Sequence, residues 1–235
     1  MRKLNSLIIG GTRGIGLVIK NKFLSRGDLV FTASRSPIDD PNHFSINLPN
    51  LNGIDENIKL NYLIFTHRYR GNDWEEDFDI SVKSINLLIN KLKDRFCEES
   101  SIVILGSSAG KFVFTEQSAS YHSTRAALEG LMKFYAVSLG NRGIRCNLVF
   151  PSTVIKPENE EFFNDKNEIR KMIEFITPLN RMGNAEDVAN MVEFLCSEKS
   201  SFITGQAFWV DGGLSIRSQE SIAREYISAR TANQR

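Results

Sequence analysis

Short apolar runs alternate along this chain with longer segments in which apolar residues recur at helical spacing. The runs predict strands at LNSLIIG, LVFTAS, NYLIFTH, SSIVILGSS, IRCNLVFP and GQAFWVDGG. The periodic segments predict helices at GIGLVIKNKFLSRG, DWEEDFDISVKSINLLINKLKDRF, SYHSTRAALEGLMKFYAVSLG and AEDVANMVEFLCSE. Because most of the runs show no alternation of apolar and polar residues, we expect strands that are buried on both faces. The pattern predicts an α/β fold, in which helices cover both faces of a doubly wound parallel sheet.

The remaining segments complete one predicted domain. Residues 36–60 contain three of the six prolines, so we expect irregular structure there, with one short strand at HFSI. We assign residues 1–215 to the single domain. Residues 216–235 form a C-terminal tail that we expect to be partly helical.

Composition narrows the class of protein. Of the 235 residues, 41% are hydrophobic and 24% are charged, as in ordinary globular domains, and the net charge is +1. A near-neutral chain without a basic patch predicts neither nucleic-acid binding nor attachment to a membrane surface. Three widely spaced cysteines, Cys97, Cys146 and Cys196, match no metal-ligand spacing, so we predict no metal site and a reducing, cytoplasmic location.

A glycine-rich turn, GGTRGIG, joins the first predicted strand to the first helix. Glycines permit a tight turn and let a pyrophosphate approach the backbone, while the helix N-terminus presents free N–H groups to it. Taken alone, such a turn is also compatible with a plain tight connection. Its position predicts a dinucleotide site that includes Gly10, Thr12, Arg13, Gly14, Ile15 and Gly16.

The second strand ends in TASRS, at the place where an acidic residue would accept the ribose hydroxyl of NAD. Ser34 and Arg35 stand there instead, and Arg13 lies within the glycine turn. Guanidinium groups suit the additional phosphate of NADP, so we predict a preference for NADP(H), with NAD(H) as the alternative.

With the tyrosine-led segment YHSTRAALEGL and the C-terminal segment PLNRMGNAEDVANMVEFLCSEKSSFITGQAFWVDGG, the sequence resembles the short-chain dehydrogenase/reductase family. The likeness runs from about residue 6 to 214, and the C-terminal part is similar to the 3-oxoacyl-carrier-protein reductases of this family. The resemblance implies a Rossmann fold and carbonyl reduction by hydride transfer, with a tyrosine as the proton donor.

The resemblance assigns roles to individual residues. Tyr121 matches the proton-donating tyrosine, and Arg125 stands where the family has a lysine that binds the ribose. The serine that holds the substrate carbonyl is Ser107 by alignment of the strand, or Ser108 by spacing from the tyrosine. The position of the relay asparagine falls at Ser81. IRCNLVFP leads to the nicotinamide loop, where the expected cofactor contacts are Pro151 and Val154.

These departures from the family pattern leave two functions open. In the first, the protein is an NADPH-preferring reductase of a small organic substrate, with a proton relay rebuilt around His67 or Lys156. In the second, the chain keeps the fold and the nucleotide pocket but has lost turnover, and serves as a binding or scaffold subunit.

The resemblance also implies assembly into a homo-tetramer or homo-dimer through the helices predicted at 74–96 and 120–140. Their apolar positions exceed what a single sheet-facing stripe requires. These positions are Ile80, Leu87, Leu88, Leu92, Leu128, Leu131 and Tyr135.

Overall fold

Seven parallel strands form the central sheet in the computed structural model, which describes residues 4–55 and 57–232. The strands are β1 (Asn5–Ile9), β2 (Leu29–Ser34), β3 (His43–Ser45), β4 (Leu60–Phe65), β5 (Phe96–Leu105), β6 (Arg145–Pro151) and β9 (Ala207–Val210). Their spatial order is β3-β2-β1-β4-β5-β6-β9. A separate two-stranded pairing joins β7 (Val154–Ile155) to β8 (Gly183–Asn184). The predicted doubly wound Rossmann-type sheet is confirmed.

Helices cover both faces of this sheet. The α-helices of the described residues are α1 (Gly14–Ser25), α2 (Trp74–Phe78), α3 (Ser84–Leu92), α4 (Ala119–Gly140), α5 (Glu168–Ile176), α6 (Ala185–Leu195) and α7 (Gln219–Ala232). On one face α1 and α6 pack through residues such as Phe23 and Val192. On the other face α3 and α4 pack through residues such as Leu88 and Leu128. The six residues of β4 are all buried between the two layers, as an unalternating apolar run predicts.

Parallel register brings the carboxyl ends of neighbouring strands to one edge of the sheet. Ile9 of β1 pairs with Phe65 of β4, and Leu105 of β5 pairs with Val149 of β6. The segments that follow β1, β4, β5 and β6 therefore emerge side by side. This edge is where ligands bind in open α/β sheets.

The long helix predicted over residues 73–96 is interrupted, which corrects the prediction of one continuous α-helix. A π-helical turn, Asp79–Lys83, separates α2 from α3, and its last hydrogen bond runs from the Ser84 N–H to the carbonyl of Asp79. The carbonyl of Ile80 accepts instead from the Ser84 hydroxyl at 2.6 Å and from His67 Nε2 at 2.9 Å. These side-chain donors take the carbonyl out of the α-helical ladder.

Two further boundaries differ from the prediction. β5 begins at Phe96, within the predicted helix, and ends at Leu105, before the predicted limit of residue 108. Ser108–Gly110 form a short 3₁₀ turn after the strand. The strand expected at HFSI is confirmed as β3, and α7 lies within the C-terminal tail.

The assembly prediction loses part of its basis. Ile80, Leu88, Leu92, Leu128 and Tyr135 are all buried within the chain itself, and among the seven positions only Leu87 ranks as exposed. The apolar residues that α4 exposes are instead Phe134 and Val137. A homo-oligomer stays a prediction, and light scattering at low micromolar concentration checks it. A mass near the 26.6 kDa of one chain would contradict it.

Within residues 4–55 and 57–232, no helix combines the length and the apolar character needed to cross a bilayer.

Candidate active site

A cleft of about 920 Å³ opens at the carboxyl edge of the sheet. Its walls come from the segments after β1, β2, β4, β5 and β6 and from the first turns of α1 and α4. Thirteen of the fourteen predicted site residues line it: Gly10, Thr12, Arg13, Gly14, Ile15, Gly16, Ser34, Arg35, Ser107, Tyr121, Arg125, Pro151 and Val154. Ser81 does not line it.

The glycine-rich turn forms the floor at one end of the cleft. Gly10 has φ +91°, in the left-handed region that glycine adopts without steric cost. A Cβ on Gly16 would overlap the carbonyl oxygen of Gly10, so only glycine lets α1 begin this close to β1. The turn thus lets α1 begin directly beside the end of β1, with Gly10, Gly14 and Gly16 in the wall of the cleft.

The start of α1 is suited to an anion. Arg13 at the N-cap makes no side-chain capping hydrogen bond, so its side chain leaves the N–H groups of the first turn to a ligand. The carboxylate of Glu158 already lies close to this helix start. A Cβ on Gly14 would come within 2.7 Å of Glu158 Oε1. A phosphate group at this place requires the exposed Glu158 side chain to turn away.

Arg35, at the end of β2, and Arg13, at the start of α1, are exposed and unpaired. Neither makes a hydrogen bond or an ion pair with the part of the chain that the structure describes. The Ser34 hydroxyl donates to the carbonyl of Ser36 at 3.1 Å. Two unpaired guanidinium groups therefore lie at this edge of the cleft.

Tyr121 and Arg125 face the cleft from one side of α4. The Ser118 side chain caps this helix by accepting from the Tyr121 N–H at 3.1 Å, which fixes the first turn. The Arg125 guanidinium carbon lies 5.1 Å from the centre of the Tyr121 ring. Only 3% of Arg125 is exposed, and burial lowers its pKa.

The buried guanidinium of Arg125 has unused donors. Its Nε and Nη2 atoms are buried and have no hydrogen-bond partner among the described residues. An unpaired buried donor is costly, and native structures seldom retain one without a partner. The arrangement therefore fits a ligand that brings hydrogen-bond acceptors to Arg125.

His67 presents an unused acceptor in the same cleft. Its Nε2 donates to the carbonyl of Ile80 at 2.9 Å, which leaves Nδ1 as an acceptor in the neutral ring. Nδ1 is buried and without a partner in the described structure. Burial lowers the pKa of His67 to about 4, so the ring is neutral at physiological pH.

The segment after β5 brings two serines to the cleft. The Ser107 Oγ accepts from the Ala109 N–H at 3.2 Å, and Ser108 begins the 3₁₀ turn. Gly110 allows this turn to pack on α4, because a Cβ there would lie 2.9 Å from the carbonyl oxygen of Arg125. Both serines line the cleft.

Ser81 belongs to a buried polar cluster behind the cleft wall. Its hydroxyl donates to Asp77 Oδ1 at 2.7 Å, and the Ser120 hydroxyl donates to Asp77 Oδ2 at 3.1 Å. The cluster ties α2 and the π-helical turn to the start of α4. A relay role for Ser81 stays a prediction.

Sequence reasoning missed the charge that follows β4. Arg68 and Arg70 line the cleft, and the guanidinium carbon of Arg68 lies 5.8 Å from the centre of the Tyr121 ring. The signal was present in the run HRYR, residues 67–70, shortly after the end of β4. A second, adjoining cavity of about 340 Å³ has Arg68, Arg70 and Tyr121 in its wall.

Among the described residues, no cluster of three or more His, Cys, Asp or Glu side chains could hold a metal ion.

Comparison with known proteins identifies the family. The sequence profile of a family described as "Enoyl-(Acyl carrier protein) reductase" matches residues 62–215. The chain is 38% identical over 117 residues to L-rhamnose 1-dehydrogenase (NAD(P)(+)) of Sphingomonas sp., which covers 50% of this chain and 46% of that protein. It is 34% identical over 149 residues to a 3-oxoacyl-[acyl-carrier-protein] reductase of Staphylococcus epidermidis, covering 63% of this chain and 59% of that protein. The chain thus spans about half the length of the curated relatives it matches.

The fold has close structural neighbours. The ligand-free aldohexose dehydrogenase of Thermoplasma acidophilum superposes with a TM-score of 0.81 at 23% identity, covering 93% of this chain and 96% of the other. With the profile match over more than half of the sequence, the chain belongs to the short-chain dehydrogenase/reductase family.

Proposed function

We propose that the protein is an NADPH-preferring oxidoreductase that reduces a carbonyl group on a small organic substrate. The observation that carries this proposal is the buried, unpaired guanidinium of Arg125 beside Tyr121 in a cleft floored by a glycine turn. A cation held next to a phenol favours the phenolate, and hence the release of its proton to a substrate.

The cleft offers suitable hydrogen-bonding groups to the pyrophosphate and to the ribose of a dinucleotide. The start of α1 offers backbone donors to a pyrophosphate. Arg125 has free donors and His67 Nδ1 is a free acceptor, so together they complement ribose hydroxyl groups, which both accept and donate. When bound, the nicotinamide supplies the hydride.

The chain's own residues supply the proton and the orientation. Tyr121 donates its phenolic proton to the oxygen of the substrate carbonyl, and the hydroxyl of Ser107 holds that oxygen. Arg125 stabilises the resulting phenolate, but its guanidinium keeps its protons at neutral pH and cannot pass one on. Ser108 is the alternative to Ser107.

A second candidate is a nucleotide-binding member without turnover. It is favoured by Ser81, whose hydroxyl is held by Asp77 behind the cleft wall, and by the arginine in place of a proton-passing lysine. In this function the cleft binds the dinucleotide and the protein acts as a binding or scaffold subunit.

One experiment separates the two functions. NADPH is titrated while its fluorescence is followed, and its oxidation is then measured with a panel of carbonyl compounds. The panel includes a 3-oxoacyl thioester, and L-rhamnose is tested with NADP⁺, because relatives carry these names. Oxidation supports the reductase, binding without oxidation across the panel favours the second candidate, and absence of binding contradicts both.

The preference for NADPH is expected to depend on Arg13 and Arg35. Replacing either with alanine should weaken NADPH binding by about tenfold, the loss of one hydrogen bond to a charged group, and should change NADH binding little. Dissociation constants for both cofactors check this. Arg142→Ala is the matched control, because Arg142 is an exposed arginine just after the end of α4 and pairs with Asp94. Equal losses for the two cofactors would show that these arginines do not read the additional phosphate.

A further inference from the structure

Arg68 is an unpaired cation at the reacting end of the cleft. Its guanidinium lies over the Tyr121 ring, on the same phenol that Arg125 approaches. The described part of the chain offers it no hydrogen bond and no carboxylate within ion-pair distance. Lys156 stands nearby, half-buried, with its Nζ 4.0 Å from Glu158 Oε1.

The backbone on either side of Arg68 is fixed. His67 donates to the carbonyl of Ile80, and the Tyr69 hydroxyl donates to Glu76 Oε2 at 2.7 Å. The Thr66 hydroxyl donates to the carbonyl of Ile9 at 3.0 Å. Arg68 is therefore presented to Tyr121 from an anchored segment, although its side chain is exposed.

Space for a substrate adjoins these groups. The second cavity, of about 340 Å³, shares Arg68, Arg70 and Tyr121 with the main cleft. Two carboxylates also line it: Asp77 is buried and accepts hydroxyl hydrogen bonds, and Glu116 is exposed. Neither lies within ion-pair distance of Arg68.

The cations around the cleft repel one another. Burial lowers the pKa of Lys156, and Arg68 and Arg70 lower it further. Burial also lowers the pKa of Arg70, and the positive charges of Arg13 and Arg68 lower it further. Arg13 and Arg35 lie at the end of the cleft where the additional phosphate of NADPH is expected to bind. Because that phosphate does not neutralise Arg68, the guanidinium beside Tyr121 still has no counterion.

We propose that Arg68, assisted by Lys156, binds an oxyanion on the substrate, so that the protein reduces a carbonyl compound that carries a carboxylate or a phosphate group. This inference rests on the proposed function, because it places the reacting carbonyl at Tyr121. The planar guanidinium can donate two parallel hydrogen bonds to either kind of oxyanion.

The test measures the binding of matched anionic and neutral compounds to the protein saturated with NADPH. Succinate is compared with succinamide, and glycerol 3-phosphate with glycerol, by calorimetric titration. We expect each anion to bind more tightly than its neutral partner, and the tighter anion identifies the substrate's oxyanion. Arg68→Gln should weaken the binding of that anion by about tenfold or more, which corresponds to the loss of one hydrogen bond to a charged group. The affinity for NADPH should stay unchanged within about twofold.

Two further variants control for general effects of charge. Arg68→Lys keeps the cation and should retain part of the anion affinity, and Arg142→Gln, the same change at a remote surface arginine, should leave it intact. If NADPH itself does not bind, the proposed function fails and takes the inference with it. If NADPH binds and Arg68→Gln leaves anion affinity intact, or the anions bind no better than the neutral compounds, only the substrate assignment is overturned.

Discussion

Replacing Tyr121 with phenylalanine is expected to lower NADPH-dependent carbonyl reduction by about 10²–10⁴-fold, the contribution of a positioned general acid. The phenylalanine ring keeps the shape of the site and removes only the hydroxyl. Because no phosphate contact is expected of this hydroxyl, NADPH affinity should stay within a few-fold of its original value. Initial rates and a fluorescence titration with NADPH check the two parts separately.

Tyr135→Phe is the matched control for this experiment. Tyr135 is also on α4, but it does not line the cleft, and its hydroxyl donates to Asn86 Oδ1 at 2.7 Å. Removing it should leave the rate of reduction within a few-fold. A Tyr121→Phe protein that turns over as fast as the original would place the proton donor elsewhere in the cleft.

The fold could be predicted from the sequence because its determinants are local. Most of the buried strands contain a continuous apolar run, and the helices that cover the sheet have apolar stripes. The glycine turn is recognisable because Gly10 requires a positive φ and Gly16 a close approach, which no other residue type satisfies. Such signals lie within a few positions of one another along the chain.

The break between α2 and α3 could not be predicted in this way. It depends on His67, which reaches the carbonyl of Ile80 from a different segment, after β4. The helical spacing of the apolar residues continues through the π-helical turn, so the sequence pattern gives no sign of it. The same turn carries Ser81, and its hydroxyl is directed to Asp77 rather than to the cleft.

The environment of Tyr121 also arises from distant segments. Arg68 follows β4 and Arg125 lies on α4, and the parallel register of β4 and β5 brings them to one phenol. Along the sequence, HRYR is only a short run of basic and aromatic residues. Its charge acquires meaning only once the strand ends are placed side by side.

Replacing Arg125 with methionine is expected to change stability and function in opposite directions. The buried guanidinium has two donors without partners, so an apolar side chain of similar length should raise the free energy of unfolding of the unliganded protein by about 1–4 kcal/mol. The same change should weaken NADPH binding by about tenfold or more, since charged donors to the ribose are lost. It should also lower the rate of reduction by about 10²-fold, because the phenolate loses its neighbouring cation. Urea denaturation, NADPH titration and initial rates measure the three effects.

Arg145→Met is the control that makes the sign of the stability effect informative. Arg145 is also buried, but its Nη2 donates to the carbonyl of Leu195 at 2.8 Å. Removing it breaks the hydrogen bonds that its guanidinium donates to the carbonyls of Leu195, Ser197 and Ile203, so the free energy of unfolding should fall, in contrast to Arg125→Met. Arg125→Lys restores the family residue and should retain or raise activity, because it keeps a cation and gains the ability to pass on a proton. If Arg125→Met destabilised the unliganded protein as Arg145→Met does, the guanidinium would be a structural group, and the assignment of its free donors to a ligand would be wrong.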